Sequence, residues 1–186
     1  MRALNLRLFA LPFDWVVSSP DLICTAIHDK FMSYHTNLSL IDSKTRVVDT
    51  YGFLFPHDYP TIETAAVPSD EDIGPTETTL HPEWHTHIRT VQEKYRRRID
   101  RFMALLTSPD PLIIVHRGSV HNLEKFKALF LECFQKTNIA YVVATSEQST
   151  SPDVFTCQPE VSGDWNNKDI WALALKAAAD YLEKPN

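Results

Sequence analysis

Two short apolar runs separated by one helix length set the tightest limit on how this chain folds. Residues 111–117 read Pro-Leu-Ile-Ile-Val-His-Arg, and residues 138–145 read Asn-Ile-Ala-Tyr-Val-Val-Ala-Thr. Each is an unbroken apolar stretch, the pattern of a central strand covered on both faces, and both are expected as central strands. Between them Gly118-Ser119 turns the chain, and residues 122–135 place Leu123, Phe126, Phe130, Cys133 and Phe134 at helical spacing, all expected inward. Strand, helix, strand at this separation is a βαβ unit, which makes the two strands parallel. His116, Arg117, Thr145 and Ser146 then fall at the carboxyl ends of the strands, where α/β sheets bind ligands. Residues 153–158 suit a last edge strand bearing Cys157. Residues 164–182 suit a closing helix with Trp171, Leu175, Ala178 and Leu182 inward.

Upstream, the clearest helix spans residues 83–106, where Trp84, Ile88, Val91, Tyr95, Ile99, Phe102, Leu105 and Leu106 recur as one apolar stripe. Its outer face is assigned Arg89, Lys94, Arg96, Arg97 and Arg101, read as a solvated face with a Glu93–Arg97 pair. Ser19-Pro20-Asp21 has the composition of a helix start: a capping hydroxyl, a proline at the first position and an acid near the positive dipole end. Leu22, Ile23, Ala26, Ile27 and Phe31 give that helix its apolar face, with Cys24 read as a small buried hydrophobe. Residues 46–49 and 51–55 are β-prone and expected to pair. The second of these runs into Pro56-His57-Asp58-Tyr59-Pro60, whose two prolines stiffen the strand end. Residues 61–82, rich in Pro, Thr and acids including Asp70-Glu71-Asp72, read as a surface excursion. The expected fold is a single α/β domain over residues 1–186, with a mixed, partly parallel sheet of about four to six strands flanked by helices.

Composition excludes several classes. A net charge of −6 disfavours a nucleic-acid partner, since phosphate contacts need a surplus of Lys and Arg. No apolar run approaches the roughly 20 residues needed to cross a bilayer, and the first residues lack a signal-peptide core, so no membrane association and a cytoplasmic location are expected. Three widely spaced cysteines form neither a disulfide framework nor a Cys-x-x-Cys site. Four glycines are too few for a phosphate loop, and Gly-x-Ser-x-Gly is absent. His81 and His85 have the spacing of paired metal ligands, with His87 nearby. No activating Glu lies between them and no third ligand is evident, so neither metal nor cofactor is expected.

The stretch Ala10-Leu11-Pro12-Phe13-Asp14-Trp15-Val16 is too apolar for an ordinary surface turn, yet it carries a carboxylate and an indole N–H. It reads either as a polar device in an apolar setting or as a turn in which Asp14 caps backbone and Trp15 plugs a core. Pro12-Phe13-Asp14-Trp15, followed by Ser19-Pro20, Val48-Asp49 and Phe55-Pro56-His57-Asp58-Tyr59, resembles a bacterial and viral family described as putative papain-like cysteine peptidases. The resemblance runs from Leu6 to about Arg117. It implies a thiolate nucleophile attacking an acyl carbonyl, His57 as base and then acid, and Asp58 or Asp14 orienting the imidazole. Trp15, His116 and Arg117 are the expected contacts to a peptide or acyl substrate. In that family the nucleophilic Cys lies in a Gly-rich opening before the first helix, whose end would fall at Leu4, Leu6, Leu8 and Phe9 here. No Cys stands among Met1 to Leu11, so the chain is expected to begin late or to be a non-enzyme. Two other readings stand beside it: a binding or scaffold domain, and a transferase using Arg117, His116 and His57 on a phosphorylated or sugar-linked substrate.

Overall fold

The computed structural model describes residues 9–41, 45–64, 66–68, 79–158 and 168–184. The elements run α1 (Pro20–His28), β1 (Ser39–Ile41), β2 (Arg46–Val48), β3 (Leu54–Phe55), α2 (Ile88–Thr107), β4 (Leu112–Arg117), α3 (Leu123–Phe134), β5 (Ile139–Ala144), β6 (Val154–Cys157) and α4 (Lys168–Leu182). The class is mixed α/β, with the strands divided between an antiparallel sheet β1-β2-β3 and a parallel sheet β4-β5-β6. These belong to two units, Met1–Ala104 and Leu105–Asn186.

In the first unit, α1 begins as its sequence dictates. The Ser19 hydroxyl accepts the Leu22 N–H at 3.4 Å, Pro20 opens the helix and Asp21 faces its positive end. β2 and β3 pair antiparallel with Val47 opposite Phe55. Asp49 builds the turn between them, one oxygen accepting the N–H groups of Tyr51, Gly52 and Phe53 at 3.0–3.1 Å. Gly52, at φ +98°, supplies the left-handed backbone that this nest of amides requires. The hairpin delivers Phe53 and Phe55 into an aromatic core. There the Phe13 ring lies within 5.4–6.3 Å of Phe31, Tyr34, Phe53 and Phe102.

A 3-10 turn, Trp84–His87, leads into α2, so the helix forms where its apolar period predicts. One expectation for α2 is overturned: Lys94 is not on the outer face but buried, as is Arg98. Val91, Lys94, Tyr95, Arg98 and Phe102 stand at i, i+3, i+4, i+7 and i+11, so helical geometry carries both cations inward. Glu93 pairs at 3.2 Å with Arg89, one turn before it, rather than with Arg97, one turn after. Within residues 61–82, Thr61 forms a bridge with Leu80, and the Ile62 N–H bonds the Thr79 carbonyl.

In the second unit the βαβ reading holds: β4 and β5 are parallel, in register from Leu112–Ile139 to Arg117–Ala144. The central strand is β5, whose six residues are all buried. β4 lies at the sheet edge and is mostly half-buried, which corrects its expected central place. α4 packs on β5 and β6. Cys133, expected inward, is exposed, and Leu129 is buried on α3 instead. Lys127 ties α3 to the β5–β6 connection through Asp153 at 2.8 Å and Ser151 at 3.0 Å. The expectations for Leu4, Leu6, Leu8, Asp70-Glu71-Asp72 and the first turn of the closing helix lie outside the described residues.

Candidate functional site

The Pro-Phe-Asp-Trp block and the His-Asp strand end are brought side by side in the first unit. Val17 forms an antiparallel bridge with Leu54, with both N–H···O bonds at 3.0 Å. The chain leaving the block therefore runs beside β3, and His57 follows two residues after the last residue of that strand, Phe55. Within the block each residue has a distinct task. The Pro12 carbonyl accepts the buried Tyr34 hydroxyl at 2.6 Å. Phe13 enters the aromatic core, the place that one reading of the sequence gives to Trp15. Asp14 accepts the Leu11 N–H at 2.8 Å, closing the turn as a backbone cap. Trp15, at φ 67°, is 40% exposed, so the indole is presented at the surface rather than plugging a core.

His57 is half-buried, and the residues after it are clamped. Asp58 is 3% exposed. Lys94 Nζ lies 2.7 Å from one of its carboxylate oxygens, with Arg98 Nη1 4.0 Å from the same oxygen. Its other oxygen accepts the Tyr95 hydroxyl at 2.7 Å. The Tyr59 hydroxyl meets His35 Nε2 at 2.7 Å, and the Pro60 carbonyl accepts the His81 N–H at 2.9 Å. His81 in turn uses its Nδ1 to accept the Glu83 N–H at 3.2 Å, a turn-capping role. Among the described residues no group of three or more His, Cys, Asp or Glu is disposed to hold a metal ion. Nor is any helix there long and apolar enough to cross a membrane.

Burial dominates the electrostatics. Tyr34 and Tyr95 are held well above the ordinary phenol range by burial first, with the nearby charge of Asp58 adding to it. Asp14 also raises Tyr34, more weakly, so both candidate carboxylates lie within electrostatic reach of that one hydroxyl. Burial pushes the Asp49 carboxyl up despite four backbone N–H bonds, and pushes the Cys157 thiol up as well. His35 and Arg98 have no role in the sequence reading, and Lys94 is placed by it on the solvated face of α2. The period of α2 was the available signal for Lys94 and Arg98, since both fall on its apolar stripe.

His116 and Arg117 lie in the second unit, at the carboxyl end of β4. Arg117 is exposed. His116 packs its ring 6.0 Å from Phe126, its Nε2 is buried with no hydrogen-bond partner among the described residues, and burial lowers its pKa. Gly118 follows at φ +139°, where an added Cβ would stand 3.1 Å from His116 Nε2. Gly118→Ala is therefore expected to lower stability by about 1–3 kcal/mol, read by thermal melting. An unchanged melting temperature would mean that the ring and backbone give way freely. The neighbouring amide cradle is filled by the chain itself: Glu147 accepts the Val120 N–H at 2.8 Å and the Ser119 hydroxyl at 3.0 Å.

The chain belongs to the family described as Putative papain-like cysteine peptidase (DUF1796), whose model matches residues 1–140, past the Arg117 limit of the motif resemblance and into β5. No curated protein and no solved structure matches the chain.

Proposed function

We propose that this protein is a scaffold for thiol-dependent acyl transfer in which His57 is the general base. The observation that carries the reading is the rigid setting of His57: a strand before it, and Asp58, Tyr59 and Pro60 each bonded after it. A proton-transfer group needs positioning more than exposure, and an imidazole titrates nearest neutrality. In this reading His57 takes the thiol proton, the thiolate attacks the acyl carbon, and the imidazolium returns the proton to the leaving group. Asp58 acts as a positioning residue, because both its oxygens are already engaged. Asp14 fixes the turn that presents Trp15 to a peptide or acyl substrate. His116 and Arg117 form a separate polar edge on the second unit. Cys24 is the cysteine that shares a unit with His57, on α1; Cys133 and Cys157 belong to the second unit.

A non-catalytic binding domain is the second reading, favoured by the Cys157 thiol, whose pKa burial raises rather than lowers. Iodoacetamide labelling against pH, with each site assigned by mass spectrometry, separates the two. The acyl-transfer reading expects one cysteine to label rapidly near pH 6 and His57→Ala to slow it by about tenfold or more. Three thiols that label only as the pH nears their ordinary range would establish the binding domain instead.

A further inference from the structure

We propose that the cleft between the α1–β1 connection and α2 binds a small ligand through a carboxylate or phosphate group. The cleft, of about 250 Å³, is walled by Lys30, Phe31, His35, Gln92, Arg96 and Ile99, among others. That is smaller than the clefts that hold drug-sized molecules and suits a metabolite or a chain terminus. It does not include His57, so the inference is independent of the thiol chemistry proposed above.

His35 carries the argument. The residue is 1% exposed and fastened on nearly every side. Its N–H donates to Asp49 at 2.8 Å, and its carbonyl accepts Gln92 Nε2 at 3.1 Å. The ring stacks 5.2 Å from Tyr95 and stands edge-on to Phe55 at 4.4 Å. Nε2 meets the Tyr59 hydroxyl, and Nδ1 is buried with no hydrogen-bond partner among the described residues.

Which nitrogen holds the proton follows from Tyr59. Burial, and then the charge of Asp58, hold that phenol far above its usual pKa, so it keeps its proton. A buried O–H donates, and His35 Nε2 is its partner. A neutral imidazole that accepts at Nε2 bears its hydrogen on Nδ1. His35, which lines a cleft that also carries two cations, Lys30 and Arg96, thus holds a buried and unsatisfied N–H donor. An oxyanion answers both features, because it accepts the orphan hydrogen bond and is attracted by the cations.

The backbone of the wall supports the same conclusion. Three of the lining residues, Lys30 (φ 58°), Phe31 (φ 62°) and His35 (φ 56°), are left-handed without being glycine. Strain of this kind collects at ligand clamps. Arg89 and Glu93 flank a shallower groove nearer the start of α2 that shares Gln92 and Arg96. Glu93 is paired to Arg89 there, so the cleft keeps its positive charge.

The test uses protein with isotope-labelled histidine, with nitrogen correlation spectra recorded during separate titrations with inorganic phosphate and with acetate at near-physiological salt. The expected result is an Nδ1–H tautomer for His35 and a saturable shift of that resonance. Arg96→Ala should weaken binding by about tenfold while leaving the tautomer unchanged. Saturation by phosphate alone identifies a phosphorylated ligand, and saturation by acetate alone a carboxylate. An Nε2–H tautomer, or shifts that never saturate and leave His35 unmoved with both anions, would overturn the proposal.

Discussion

Asp58→Asn should lower the stability of this protein by about 3–5 kcal/mol, visible as a large drop in the urea midpoint with little change in slope. The substitution keeps the shape of the side chain and removes its charge. Lys94, 3% exposed and 2.7 Å from the carboxylate, would then be a buried ammonium without its counter-charge, and Arg98 would lose a neighbouring negative charge. Breaking one side of a buried pair is much worse than replacing both sides, because the surviving ion stays desolvated. The companion experiment is therefore Asp58→Asn with Lys94→Met. The double variant should recover about half of the loss or more. If it is no more stable than Asp58→Asn alone, the ion pair is not what holds the strand end against α2.

Stability should also fall steeply in mild acid because of His35. Burial, reinforced by Lys94 and opposed by Asp58, lowers its pKa from 6.5 to about 4. The unfolded chain takes up a proton on this residue near pH 6.5, whereas the folded chain resists until about pH 4. The contribution of His35 is fully present above pH 6.5 and is lost as the pH falls through that window, reaching about 3 kcal/mol. Asp49, whose pKa burial raises, titrates in the opposite sense, so the comparison must be made between variants. Urea midpoints from pH 7.5 down to pH 4.5 should fall less for His35→Gln than for the natural chain. Parallel slopes for the two proteins would show that His35 is not the titrating group.

Of the two readings open to Asp14, the backbone cap is the one the fold adopts, with the Leu11 N–H bonded to its carboxylate at 2.8 Å. A buried Asp needs a partner, but no local pattern marks which Asp the fold will bury. The buried and paired carboxylate is Asp58, next to a histidine that held attention for its chemistry. Lys94 was misread for a related reason. A lysine is expected in water, and that expectation outweighed its position between Val91 and Tyr95 on the apolar stripe. His35 had no readable signal. Its partners are Tyr59, Asp49 and Gln92, which lie 14 to 57 residues away along the chain.

By itself the sequence determined the elements that rest on local rules. α1 starts at Ser19-Pro20 because capping and dihedral preference act within a few residues. α2 follows the period of its apolar side chains, and the parallel pairing of β4 with β5 follows from the length of the connection between them. The tertiary structure decided what depends on partners distant in sequence: that the strands divide between two sheets, that β5 rather than β4 is central, and that Phe13 rather than Trp15 enters the core. It also decided that Asp58 and Lys94 neutralise one another out of water. Periodicity records which face of an element is apolar. Only packing determines which face it meets, and so whether a charge on that face is solvated or paired.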